Sequence, residues 1–189
     1  VNVDGTNGTS QSFSTVRAIP LENGSFEDWH QEGKQWNPWA EGANAFWGTG
    51  NGGSSAFIGN ITTPTDVSVK GKAALLESKN AIIKLGSGNI FTGDFALDGT
   101  NGILKFGRPF TSFPTALRLY YKYTTSTINR IGDDVGSLSQ LRGRPDSCHV
   151  YIALSDKSEP YEIRTRPSTR QLFDKNDKNI IAYGEFIKG

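Results

Sequence analysis

An all-β fold, an antiparallel sandwich or barrel, is predicted by two features of this 189-residue chain. Helical periodicity is scarce, with no long stretch carrying apolar residues at i, i+3, i+4 and i+7. Short β-type runs bounded by Gly, Pro, Asn and Asp recur in its place. Such a pattern of many short strands and few helices belongs to antiparallel sandwiches and barrels.

Taken in order, the polar, glycine-rich opening "VNVDGTNGTSQS" reads as a flexible tether or interdomain linker over residues 1–19. Residues 20–189 then form one domain, with a first strand entered through "NGSFEDW". "KAALLES" (72–78) and "NAIIKLG" (80–86) predict a hairpin, and "NIFTGDFAL" (89–97) precedes "GILKFG" (102–107). The clearest strand is "TALRLYYKYT" (115–124), with Leu117, Leu119, Tyr121 and Tyr123 on one face and Arg118, Tyr120 and Lys122 on the other. Residues 125–146 show no sustained period and are too long for an ordinary hairpin loop. "SCHVYIALS" (147–155) alternates again, 158–179 is charged with one short helical turn over 169–174, and "NIIAYGEFI" (179–187) closes the set.

Composition narrows the function. Twenty basic residues against nineteen acidic ones leave a net charge of +1, which argues against nucleic acid or an anionic membrane as partner. No run of about 20 apolar residues is present to span a bilayer. Methionine is absent even at position 1, so the chain reads as a processed product or an excised piece. Cys148 is the only cysteine, which excludes an intrachain disulfide, and it reads as a small core hydrophobe. With only His30 and His149, and no Gly-x-Ser-x-Gly elbow, neither a histidine-rich metal site nor a Ser-His-Asp triad has its context.

What remains is aromatic and amide-rich. All four tryptophans, Trp29, Trp36, Trp39 and Trp47, fall between residues 29 and 47, with Asn37, Asn44 and Asn51 among or beside them. Sugars present C–H faces that pack on rings and hydroxyls that pair with amides and carboxylates, and sites for such ligands combine both. Trp29 reads as a core residue of the first strand, whereas Trp36, Trp39 and Trp47 lie in turn-rich sequence as candidate ligand contacts.

Carboxylates are less telling. Glu27 and Asp28 face opposite ways on a strand, so they cannot act as an acid–base pair. A glycosidase needs two carboxyls about 5 to 10 Å apart, and Asp146, Glu162 and Glu185 are candidates that nothing in the sequence brings together. The "Asn23-Gly-Ser-Phe-Glu27" entry offers Glu27 and backbone carbonyls as hard oxygen ligands for a structural calcium, the only metal the sequence suggests. No other cofactor is expected.

Read together, "NGSFEDW", "FWGTGN", "GNIFTGDF", "FGRPFTSFPTALRLYYKY", "DSCHVYIAL" and "IIAYGEF", in that order, resemble the putative carbohydrate metabolism domain (PCMD) of Bacteroidetes surface proteins over roughly residues 20–187. The resemblance implies a β-sandwich jelly roll exported to the cell envelope, often as a lipoprotein behind an immunoglobulin-like domain. It also implies a carbohydrate-binding pocket, without an established reaction, in a polysaccharide-handling protein. Carried over by position, "FWGTGN" contributes Trp47 and Asn51, "LRLYYKY" contributes Arg118, Tyr120 and Lys122, and "DSCHVYIAL" contributes Asp146 and His149. The resemblance further implies strands beyond "IIAYGEF", past the end at Gly189, so a remaining C-terminal fragment is a candidate partner.

Three readings follow. The leading one is a surface module that binds an oligo- or polysaccharide without cutting it, through Trp36, Trp39, Trp47, Asn51, Arg118, Tyr120, Asp146 and His149. The others are a glycoside hydrolase or lyase on the same scaffold, and a structural or adhesive module whose aromatics only anchor loops.

Overall fold

The computed structural model describes residues 20–80, 85–112, 114–132 and 136–189. The expected tether over residues 1–19 lies outside them. The described residues form β1 (His30–Glu32), β2 (Gln35–Asn37), β3 (Trp47–Gly48), α1 (Asn51–Ser54), β4 (Thr62–Thr65), β5 (Ala73–Leu76), β6 (Lys79–Asn80) and β7 (Leu85–Gly86). They continue with β8 (Phe91–Asp98), β9 (Asn101–Phe106), β10 (Cys148–Ser155), β11 (Tyr161–Arg164) and β12 (Ile180–Lys188). Short 3-10 turns cover Gly136–Leu141 and Pro167–Thr169. The fold is all-β and sandwich-like, built from antiparallel sheets, as the strand pattern predicts.

The largest sheet has four strands in the order β11-β9-β8-β3, and the described residues also form two-stranded ribbons β1-β2, β4-β5, β6-β7 and β10-β12. The β8–β9 hairpin turns at Gly99 with φ of +63°, a left-handed conformation that glycine adopts without steric cost. Among the described residues the buried apolar side chains include Ile61, Ile163 and the fully enclosed Pro38. Ile61 sits where the backbones of Gly50 and Gly86 approach it, so that a Cβ at either would stand 2.8 or 3.3 Å from its side chain.

Three predicted elements are corrected. Residues 114–124 form no strand, and Leu119 and Tyr121 stay about half exposed. Alternation states which face would be buried, but a strand exists only when a neighbour takes up its backbone groups; here the first such partnership is the Thr127↔Pro145 bridge. β5 pairs with β4, and β6 pairs with β7; residues 81–84 of the expected second strand lie outside the described residues. The charged 158–179 stretch contributes β11, whose Ile163 is buried opposite Leu104, and its helical turn falls at Pro167–Thr169. No helix among the described residues is long and apolar enough to cross a membrane.

Candidate sugar-binding cavity

The segment "NAFWGTGNGGSS" builds one wall of a cavity by lying flat on β8. Trp47 and Gly48 pair with Thr92 and Phe91 as an edge strand. Gly48 is pressed onto the Phe91 ring and the Gly93 carbonyl, each of which would lie 2.7 Å from a Cβ there. No larger residue fits, which explains the glycine beside the tryptophan. The chain then turns into α1, whose first residue, Asn51, is fully enclosed.

Asn51 uses every hydrogen-bonding position of its amide. Nδ2 donates to the carbonyls of Trp36 (2.8 Å) and Thr62 (2.6 Å), and Oδ1 accepts from the amides of Ile61 (2.9 Å) and Thr62 (3.0 Å). One side chain thereby binds the loop, the β1-β2 ribbon and the start of β4 together.

The opposite wall comes from β2, where alternation points Gln35 and Asn37 to one side and Trp36 to the other. Gln35 Nε2 donates to Asn37 Oδ1 (2.7 Å), and Asn37 Nδ2 lies 3.2 Å from His30 Nε2. His30 Nδ1 lies 2.7 Å from the Trp39 carbonyl, an acceptor, which places the imidazole proton on Nδ1 and leaves Nε2 to accept. This directed chain holds the Trp39 loop, and the Trp39 ring meets His30 edge-on at 5.4 Å.

Between the walls lies a cavity of about 250 Å³ whose lining includes Gln35, Asn37, Trp39, Trp47, Asp94 and Phe95. Trp47 is half-buried against Phe26 (5.1 Å) and Phe46 (5.4 Å), and its indole N–H donates to the Glu22 carbonyl at 2.8 Å. Asp94 is gripped by Arg108, with Nη1 to Oδ2 at 2.8 Å and Nη2 to Oδ1 at 2.5 Å. These hydrogen bonds hold the Asp94 carboxyl below the usual range, so it is ionised. Arg108 also donates to the carbonyls of Ala45, Phe46 and Gly93, tying the aromatic loop to β8.

Residues 25–189 match the family described as the putative carbohydrate metabolism domain. The chain belongs to that family. PCMD is thus a carbohydrate-related domain, as its sequence motifs suggest. Neither the curated proteins nor the solved structures give a match.

Of the residues that sequence singled out in this PCMD chain, the cavity brings together Trp39 and Trp47. Trp36 points away from it, its amide N–H taken by Asn60 Oδ1 at 2.9 Å. Asn51 stands behind the wall as part of its frame. Arg118 and Tyr120 lie on the exposed 114–124 segment, with Tyr120 86% exposed. Asp146 braces the turn before β10: its carbonyl accepts from Thr125 Oγ1 (2.7 Å), and its Oδ1 accepts from the Ser147 amide (2.8 Å). The Glu27 carboxylate accepts from the Lys72 amide at 3.0 and 3.1 Å, and the described residues contain no group of three or more His, Cys, Asp or Glu side chains placed to hold a metal ion. Asn37 stood out in the sequence only as one amide among the rings, and Gln35 and Asp94 escaped it; β2 sets Gln35 beside Asn37, and Asp94 joins them through the pairing of β8 with the aromatic loop.

His149 belongs to a different cavity, of about 400 Å³, on the β10-β12 ribbon. Its Nε2 lies 3.1 Å from Glu185 Oε2, which also accepts from the Tyr183 hydroxyl at 2.9 Å, while Lys175 Nζ donates to Oε1 at 2.8 Å. Led by the Lys175 and Tyr183 hydrogen bonds, these contacts bring the Glu185 pKa down to about 2. A carboxylate with a lowered folded pKa stabilises the protein above its unfolded pKa, and that contribution is lost as pH falls through the folded value. The stability difference between the native chain and Glu185→Gln is therefore expected to be full at neutral pH. It should shrink below about pH 4.5 and vanish below about pH 2, as denaturant melts across that range would show.

Proposed function

We propose that this domain binds a glycan without cleaving it, in the cavity between Trp39 and Trp47. The observation that carries the reading is the pairing of two half-buried indoles with a fixed amide chain, Gln35 and Asn37, and one ionised carboxylate, Asp94. Ring faces supply the apolar surface for sugar C–H groups, and the amides and carboxylate supply oriented partners for hydroxyls. Preorganisation by Asn51, His30 and Arg108 lowers the ordering cost of binding.

The same geometry speaks for binding over hydrolysis. Among the described residues Asp94 is the one carboxylate in the cavity lining, and Arg108 keeps it charged. A glycosidase requires a second carboxyl across the bond and a protonated member of the pair. A jelly-roll module of this kind, displayed at the cell surface as part of a polysaccharide-handling protein, is the setting that we assign to it.

The test is a glycan panel scored for both binding and reducing-end release, with Trp39→Ala and Gln35→Ala alongside the native protein. Trp39→Ala is expected to weaken binding about tenfold or more, equivalent to about 1.4 kcal/mol, at a thermal midpoint showing a folded protein. Release of reducing ends would overturn the reading in favour of a hydrolase. Absence of binding by the folded native chain would overturn it in favour of a structural module.

A further inference from the structure

The β10-β12 ribbon carries a second constellation that the first cavity does not use. Alternation puts His149, Tyr151 and Ala153 on one face of β10, and the antiparallel register sets them opposite Ile187, Glu185 and Tyr183 of β12. The chain entering β12 then lays Phe173 and Lys175 beside them.

Two pairs of these rings stack and a third pair is tilted. Tyr151 and Phe173 are 5.4 Å apart at 26°, Phe173 and Tyr183 are 6.3 Å apart at 23°, and Tyr151 and Tyr183 are 5.9 Å apart at 34°. Phe106 and Tyr161 meet this group at steep angles, 60° to Tyr151 and 73° to Phe173. The steep contacts are the tilted and edge-on kind that aromatic clusters commonly adopt, whereas Tyr151, Phe173 and Tyr183 form an offset stack that lines the cavity, with Lys175 Nζ 5.3 Å from the centre of the Tyr183 ring.

Beside the stack, a charged group stays open to solvent. The side chains of Glu185, His149 and Lys175 are 33%, 44% and 48% exposed, so the cavity is a surface bay and not a sealed core. An ionised carboxylate accepts at about four positions. Glu185 uses two on Oε2 and one on Oε1, which leaves one acceptor on Oε1 next to the Lys175 ammonium. An acceptor beside a donor suits two neighbouring hydroxyls, one giving its proton to Oε1 and one receiving from Nζ.

We infer that this bay is a second, separate sugar site, packing a neutral pyranose against the Tyr151–Phe173–Tyr183 stack and holding a vicinal hydroxyl pair on Glu185 and Lys175. Neutrality follows from the charge arrangement. Lys175 and His149 are both engaged by Glu185, and Asp174 lines the same bay, so an acidic sugar would meet carboxylates without an uncommitted cation. The inference goes beyond the Trp39–Trp47 site and stands on different strands.

Amide and side-chain NMR shifts of the native protein, titrated with methyl glucoside, methyl galactoside and methyl glucuronide, test it. The neutral glycosides are expected to move the signals of Tyr151, Phe173, Tyr183 and Glu185, with the glucuronide binding several-fold more weakly. Phe173→Ala should weaken that response about tenfold, whereas Trp39→Ala should leave it unchanged. Glu185→Gln, which keeps the shape of the side chain, should weaken it several-fold. Shifts confined to the Trp39 and Trp47 indoles, preference for the glucuronide, or no shift in the bay at millimolar glycoside would each overturn the inference. The indole signals report the first cavity independently, so either site can fail without the other.

Discussion

Asn51→Ala is expected to lower the unfolding free energy by about 3 to 5 kcal/mol, among the largest effects available to a single polar residue here. The side chain is wholly enclosed and satisfies the carbonyls of Trp36 and Thr62 together with the amides of Ile61 and Thr62. Truncation leaves four buried backbone groups without partners, and a buried group left unmade costs more than an average hydrogen bond contributes. Asn51→Asp should be at least as damaging although it matches in size. It replaces two donors by an oxygen facing two carbonyls and brings a charge into an enclosed site. Urea denaturation of both variants checks this. Unchanged stability together with lost glycan binding would instead assign Asn51 to the ligand.

Gly93→Ala is expected to cost about 4 kcal/mol or more, or to prevent soluble folding. Gly93 lies within β8 at φ of +135°, and a Cβ there would overlap the Lys105 carbonyl of the paired strand. The conformation serves the site: the Gly93 amide donates to the Phe46 carbonyl at 3.1 Å, and its own carbonyl accepts from Arg108 at 3.0 Å. Opening β8 from β9 would therefore also release the loop that carries Trp47. Gly107→Ala separates the two causes, because Gly107 has φ of +120° but no atom within 4 Å of a Cβ. It should cost only the backbone term of about 1 to 3 kcal/mol. Equal thermal midpoints for the two variants would show that the Lys105 contact is not the source of the damage.

Much of the fold was legible because it is local. The β8–β9 hairpin, β10 and β12 fall within one or two residues of the runs that alternation marks out, since a period of two is written along the chain itself. Residues 114–124 show the limit: their alternation is as regular as any, yet they form no strand. β11 shows the converse, a charged segment made a strand by pairing with β9. The site was legible in kind but not in membership. Trp39 and Trp47 stood out as rings in turn-rich sequence, while Gln35 and Asp94 became partners only across packed elements. Asn51 looked like a ligand contact because a type of residue says nothing about which distant carbonyls will surround it.

By itself, then, the sequence determined the all-β class, the family, and the concentration of aromatic and amide groups suited to sugars. Those depend on composition, on order and on a repeat of two residues. Tertiary structure alone decided which side chains share a cavity. It set Asn51 against Trp36 and Thr62, Asp94 against Arg108, and the rings of Tyr151, Phe173 and Tyr183 against one another. Such meetings join segments 10 to 32 positions apart, and a local periodicity names the face a residue occupies but never the residue it will meet there.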